Sequence, residues 1–126
     1  METALWIATW ILAAVMVVAG ATKALQPREK LIATGPGMAY VEDFDDRTIK
    51  LIGVAEILGA IGLILPGMLN IAPILVPFAA ICLAILMAGA IAVHLRRDEQ
   101  AHVGMPLTLL ITSLVVAVGR FAIEPF

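Results

Sequence analysis

Four long apolar stretches, each about the length of a bilayer crossing, constrain this chain more than any other feature. They run from about Ala4 to Ala24, Thr48 to Leu65, Ile71 to Leu95 and Val103 to Ile123. A helix needs roughly 20 predominantly apolar residues to cross a membrane. The first stretch is uninterrupted until Lys23. The second carries only Glu56 and is expected to stop at Pro66-Gly67, the third closes on Arg96, Arg97 and Asp98, and the fourth has Arg120 near its end. No segment shows the period-two alternation of a barrel strand. The fold class expected is therefore all-α, an integral membrane four-helix transmembrane bundle in one domain over residues 1–126. Composition agrees: 62% of the 126 residues are hydrophobic and 14% charged. A water-soluble domain this small has too much surface per volume to bury so much apolar matter.

The first stretch reads as a retained span rather than a cleaved leader, because no basic residue precedes it and it is longer than a leader's apolar region. Basic residues set the expected orientation. Arg28, Lys30, Arg47 and Lys50 lie between the first two spans, with Lys23 at the margin, and Arg96 and Arg97 lie between the last two. Both charged connections are expected to be cytoplasmic and both termini extracytoplasmic. Trp6 and Trp10 then fall near the outer interface. The connection 26–47 has an apolar middle around Gly35-Pro36-Gly37 and an acidic end, Glu42-Asp43-Phe44-Asp45-Asp46. It is expected to form a short interfacial or re-entrant cap over the bundle. A net charge of −2 leaves no basic face for nucleic acid. The lone Cys82 excludes an internal disulfide and reads as a small packing residue.

Helices in lipid associate through close packing of small residues and a few polar contacts. Candidate packing positions are Gly20 on the first span, Gly53 and Gly59 on the second, and the fourfold repeat Ala80, Ala84, Ala88 and Ala92 on the third. Pro77 is expected to kink the outer end of the third span.

Intramembrane charge is costly and usually faces the bundle interior. Lys23, Glu56 and His94 fall in the same half of the membrane on three different helices. They are the candidates for a ligand or proton site, or else Lys23 and Glu56 form a structural ion pair. Arg120 stands toward the outer side, with Glu124 one turn away as its expected partner. There is no phosphate loop, nucleophile elbow, CxxC or metal-ligand cluster, so no catalytic residue, metal or cofactor is expected.

Several of these elements together resemble the DoxX-like group of small bacterial membrane proteins. They are Ala19-Gly20-Ala21-Thr22-Lys23 closing the first span and Arg28-Glu29-Lys30-Leu31 after it. Ile52-Gly53-Val54-Ala55-Glu56-Ile57-Leu58-Gly59-Ala60-Ile61-Gly62-Leu63-Ile64-Leu65-Pro66 crosses the second, and Met87-Ala88-Gly89-Ala90-Ile91-Ala92-Val93-His94 closes the third. The resemblance implies a four-helix fold in a bacterial cytoplasmic (inner) membrane. The group's founding name belongs to a subunit associated with a thiosulfate:quinone oxidoreductase, and some members are linked to redox stress complexes. Lys23, Glu56 and His94 match its polar positions, without a catalytic role.

The function expected is that of a non-catalytic membrane subunit or helper. It would bind a partner protein, a second copy, or an apolar lipid- or quinone-like ligand in a polar-based pocket between helices. The alternative is a membrane subunit of a quinone-linked oxidoreductase. A proton-coupled small-molecule transporter ranks last, because the outer half offers only Thr9, Asn70, Thr112, Ser113 and Arg120 as a polar path.

Overall fold

The computed structural model describes residues 2–123 and Pro125. Helix α1 spans Glu2–Leu25, a short α2 spans Arg28–Ala33, α3 spans Asp46–Leu69 and α4 spans Leu75–Arg96. Helix α5 spans Gly104–Val118 and continues as one π-helical turn, Gly119–Ile123. Among the described residues there is no strand, and four helices are long and apolar enough to cross a membrane. They form an antiparallel ring in which α1 packs chiefly on α3, α3 on α4 and α4 on α5. Helix α5 closes the ring on α1 over a smaller contact.

The core is built from one stripe of each helix: Leu12 and Met16 on α1, Leu63 on α3, Val76 and Leu83 on α4, and Val116 on α5. The outward faces are just as apolar, with Ile11, Val18, Leu58, Ile85 and Met105 all exposed. Water would make such a surface aggregate. Hydrocarbon solvates it, while every helix keeps its backbone hydrogen bonds inside itself. Cys82 also faces outward, not into the packed core.

Two proline positions differ from the sequence reading. Helix α3 continues through Pro66-Gly67 to Leu69 and ends at Asn70, whose φ of 52° is left-handed and whose N–H donates to the Pro66 carbonyl. A proline in the last turns removes one hydrogen bond, and the left-handed cap recovers an orphan carbonyl. Helix α4 starts at Leu75, so Pro77 sits in its first turn. First-turn N–H groups have no intrahelical acceptor, so Pro77 costs no bond and imposes no kink.

The connection 26–47 is folded. Helix α2 and a 3-10 helix, Pro36–Asp43, pack Leu31 and Val41 against Ile49 of α3. Arg28 holds the segment's shape: Nε donates to the carbonyls of Val41 and Phe44 at 3.2 and 2.9 Å, and Nη2 to that of Glu42 at 2.6 Å. Asp45 caps α3 by accepting from the Thr48 N–H at 3.0 Å, and the Thr48 side chain first and this backbone bond second hold its carboxyl below the usual range. Arg97 Nη1 pairs with Asp43 at 2.8 Å and so brings both charged connections to one end of the bundle. At the opposite end Arg120 Nη1 donates to the Glu2 carboxylate oxygens at 2.8 and 3.0 Å, joining the first turn of α1 to the end of α5.

Candidate functional site

The site begins with two glycines. A Cβ on Gly20 would lie 2.5 Å from the Gly53 carbonyl oxygen, and one on Gly53 would lie 2.6 Å from that of Gly20. Only hydrogen at both positions lets α1 and α3 cross backbone to backbone. Lys23 and Glu56 each follow their glycine by three residues, nearly one turn, and so flank the crossing on facing sides. Lys23 Nζ donates to Glu56 Oε1 at 2.6 Å. Glu56 is 1% exposed and Lys23 12%. The other carboxylate oxygen, Glu56 Oε2, is buried with no hydrogen-bond partner among the described residues.

Three further groups complete the polar end. The folded connection places Tyr40 beside Lys23, where burial pushes its phenol up and the ammonium pulls it partly back. The His94 ring, buried on α4, meets Tyr40 edge-on with centroids 5.2 Å apart. Its Nδ1 lies 2.9 Å from Glu99 Oε1. Glu99 accepts from Arg97 Nε at 3.1 Å through its other oxygen. The bond from His94 is the main reason the Glu99 carboxyl sits below its usual range, with Arg97 adding to it. The ring of His102 stands 6.0 Å from that of His94.

Lys23, Tyr40, Glu56, His94 and His102 form the floor of a cavity of about 680 Å³ whose walls are mostly apolar: Val15, Val18 and Ala19 on α1, Met87 on α4, Met105 and Leu109 on α5. It exists because α1 and α5 are joined at only one end. There Leu5 fits so closely against Gly119 that a Cβ on the glycine would lie 2.5 Å from Leu5 Cδ2. Toward the charged connections the two helices part. A larger hollow of about 870 Å³ lies outside, along Arg28, Glu42, Asp43 and Asp46. Arg28 there is already committed to three carbonyls of its own segment.

Of the sequence candidates, Lys23, Glu56 and His94 all border the cavity. Arg120 lies at the opposite end, buried, with its guanidinium 5.3 Å over the Trp6 ring. Its observed carboxylate is that of Glu2; Glu124 lies outside the described residues. Gly59 packs under Leu83, and Ala80 and Ala84 are buried. Ala88 and Ala92 are exposed, and a Cβ added at Gly89 would meet no neighbouring element of the described residues within 4 Å. A fourfold repeat advances about 40° around the helix at each step, so the alanine stripe winds out of the interface. Thr9 and Ser113 are buried, but each hydroxyl donates to the carbonyl one turn earlier in its own helix, Leu5 and Leu109. Among the described residues no three His, Cys, Asp or Glu side chains gather as a metal site would require.

Sequence reasoning missed Tyr40 and Glu99 as site residues. Tyr40 is the chain's single tyrosine and sits three residues past Gly37. Its rarity was a usable signal. Glu99 looked like part of an ordinary charged connection.

No curated protein and no solved structure matches the chain. The sequence model of the DoxX-like family matches residues 7–116, a stretch that holds Lys23, Tyr40, Glu56, His94 and Glu99 and leaves out Arg120. The chain belongs to the DoxX-like family.

Proposed function

We propose that this protein is a non-catalytic membrane subunit or helper that holds an apolar, lipid- or quinone-like small molecule in the cleft between α1 and α5. The molecule's polar end points to Lys23 and Glu56. The observation that carries this reading is the cavity of about 680 Å³ with apolar walls and a charged floor. That volume lies within the usual range for small-molecule sites. Val18 on its rim is exposed to the outside of the bundle, so a chain of hydrocarbon enters from the bilayer without crossing water. Leu12, Leu63 and Val116 belong to the closed core beyond the cavity, and Thr9 and Ser113 there spend their hydroxyls on their own helices. A one-ended cleft suits binding better than passage.

The reading includes a place in the cell. Both charged connections face the cytoplasm and both termini lie outside a bacterial inner membrane, because Lys and Arg accumulate on the cytoplasmic side. Reporter fusions at the C-terminus test this. Activity only of a reporter that works outside the cytoplasm agrees with it, and activity only of a cytoplasmic one contradicts it.

Binding is tested on purified protein in nanodiscs, by displacement of an environment-sensitive fluorophore carrying an alkyl chain. Ala19→Trp, which fills the cleft, is expected to abolish binding. Val17→Trp, exposed on the side of the same helix away from the cleft, is expected to leave it unchanged. Equal binding by both variants removes the cleft from the account. A second reading, a membrane subunit of a quinone-linked oxidoreductase, draws on the run Tyr40, His94 and Glu99, which leads from the cleft to the bundle surface. It requires a partner that supplies electrons, and quinone reduction by the reconstituted pair checks it.

A further inference from the structure

Resting on the cleft reading, we infer that the molecule bound there is a neutral one whose polar end is a hydroxyl, a group that both gives and takes a hydrogen bond. The requirement comes from what the floor leaves unsatisfied. Glu56 is a cavity-lining residue, its side chain is 99% buried from solvent, and Oε2 has no partner among the described residues. A carboxylate oxygen only accepts, so whatever completes it must donate. An orphaned buried acceptor is costly, and native structures rarely keep one without a bound group to satisfy it.

The neighbouring cation sets the other half of the requirement. Lys23 Nζ carries three donors. One goes to Glu56 Oε1 at 2.6 Å, so two remain on a nitrogen that already touches this carboxylate. A hydroxyl satisfies both: its oxygen accepts from Lys23 while its hydrogen goes to Glu56 Oε2. An ether or a ketone accepts only, and leaves Oε2 stranded. A carboxylate head places a second negative charge against Glu56, with Glu99 close behind His94. The walls ask only for hydrocarbon, because Val15, Val18, Met87, Met105 and Leu109 bring no polar side chain.

The test compares three twelve-carbon probes on the wild-type protein in nanodiscs: 1-dodecanol, its methyl ether and dodecanoate. Each displaces the same alkyl fluorophore, and concentrations are expressed in the lipid phase so that partitioning cancels. The alcohol is expected to displace at a concentration about tenfold or more below that of the ether, the loss typical of leaving a buried acceptor unpaired. Dodecanoate is expected to do no better than the ether. Equal displacement by alcohol and ether overturns the hydroxyl requirement and leaves the cleft as a binding site. Strongest displacement by dodecanoate overturns it in favour of an anion read by Lys23. Failure of all three where the fluorophore itself does not bind overturns the cleft reading along with it. In Glu56→Gln the preference for alcohol over ether is expected to shrink, because the orphan oxygen is gone. The three-probe series on wild type decides the matter even where that variant does not fold.

Discussion

Helix α1 has two neighbours and meets them in opposite ways. Against α3 it closes completely, because Gly20 and Gly53 have no side chain to hold the backbones apart and a buried ion pair spans the crossing. Against α5 it closes only at the Glu2 and Arg120 end. At the other end Val15, Val18 and Ala19 face Met105 and Leu109 across open space. In hydrocarbon, apolar side chains gain little by leaving lipid for one another, so a helix pair closes only where shape or polarity demands it. The closed seam supplies the polar floor, and the open seam supplies the walls and the way in. The same helix therefore carries the structural and the proposed binding role on adjacent faces.

The seam's strength is the first thing to challenge. Lys23→Met leaves Glu56 buried without its cation and is expected to cost about 3–5 kcal/mol, read as unfolding free energy by steric trapping in bicelles. Gly20→Val forces a side chain into the Gly53 carbonyl and is expected to cost about 3 kcal/mol, with loss of the α1–α3 crossing. Gly89→Ala provides the contrast. A Cβ there would meet no other part of the described residues within 4 Å, so adding one methyl is expected to be neutral or to stabilise α4 by about 1 kcal/mol. A comparable cost at Gly20 and Gly89 would mean that the closed seam owes nothing to close approach.

The end of the bundle near the cleft should respond to acid. Glu99 and Asp45 have carboxyls held below their ordinary range in the folded protein. Such groups contribute stability that is complete above the ordinary carboxylate pKa, about 4, and lost as pH falls through the lowered value. Amide exchange in the 97–103 connection and the first turn of α3 is therefore expected to stay slow down to about pH 4 and to quicken below it. The Glu2 and Arg120 end serves as the internal reference. This effect is the smallest of those described, because both carboxylates are near the surface.

The four helices were readable because lipid imposes a length and a polarity that few other constraints override. The meeting of Lys23 and Glu56 was readable for the same reason: a charge at depth must find a partner, and each stands three residues past a glycine. Other contacts lacked such a rule. Arg120 is expected beside Glu124 because helical spacing is the only distance a sequence displays, and Glu124 lies outside the described residues. The bond from Arg120 to Glu2, 118 residues away, has no such signal, because only the closing of the ring brings the two near. Tyr40 reaches the site through a 3-10 helix whose shape depends on Arg28 gripping three carbonyls, an arrangement with no period to detect. The alanine repeat on α4 was visible, but which part of it is covered depends on how far the helix turns before α3 leaves it.

A double-mutant cycle in bicelles puts the paired charges at the α1–α3 crossing to the proof. Lys23→Met and Glu56→Leu are each expected to destabilise the bundle severely. The double variant, with two apolar side chains where the charges stood, is expected to recover most of the loss, with a coupling of about 2 kcal/mol or more. Additive losses, with no recovery in the double variant, would mean that the two charges do not depend on each other and that the floor of the cleft is not built as described.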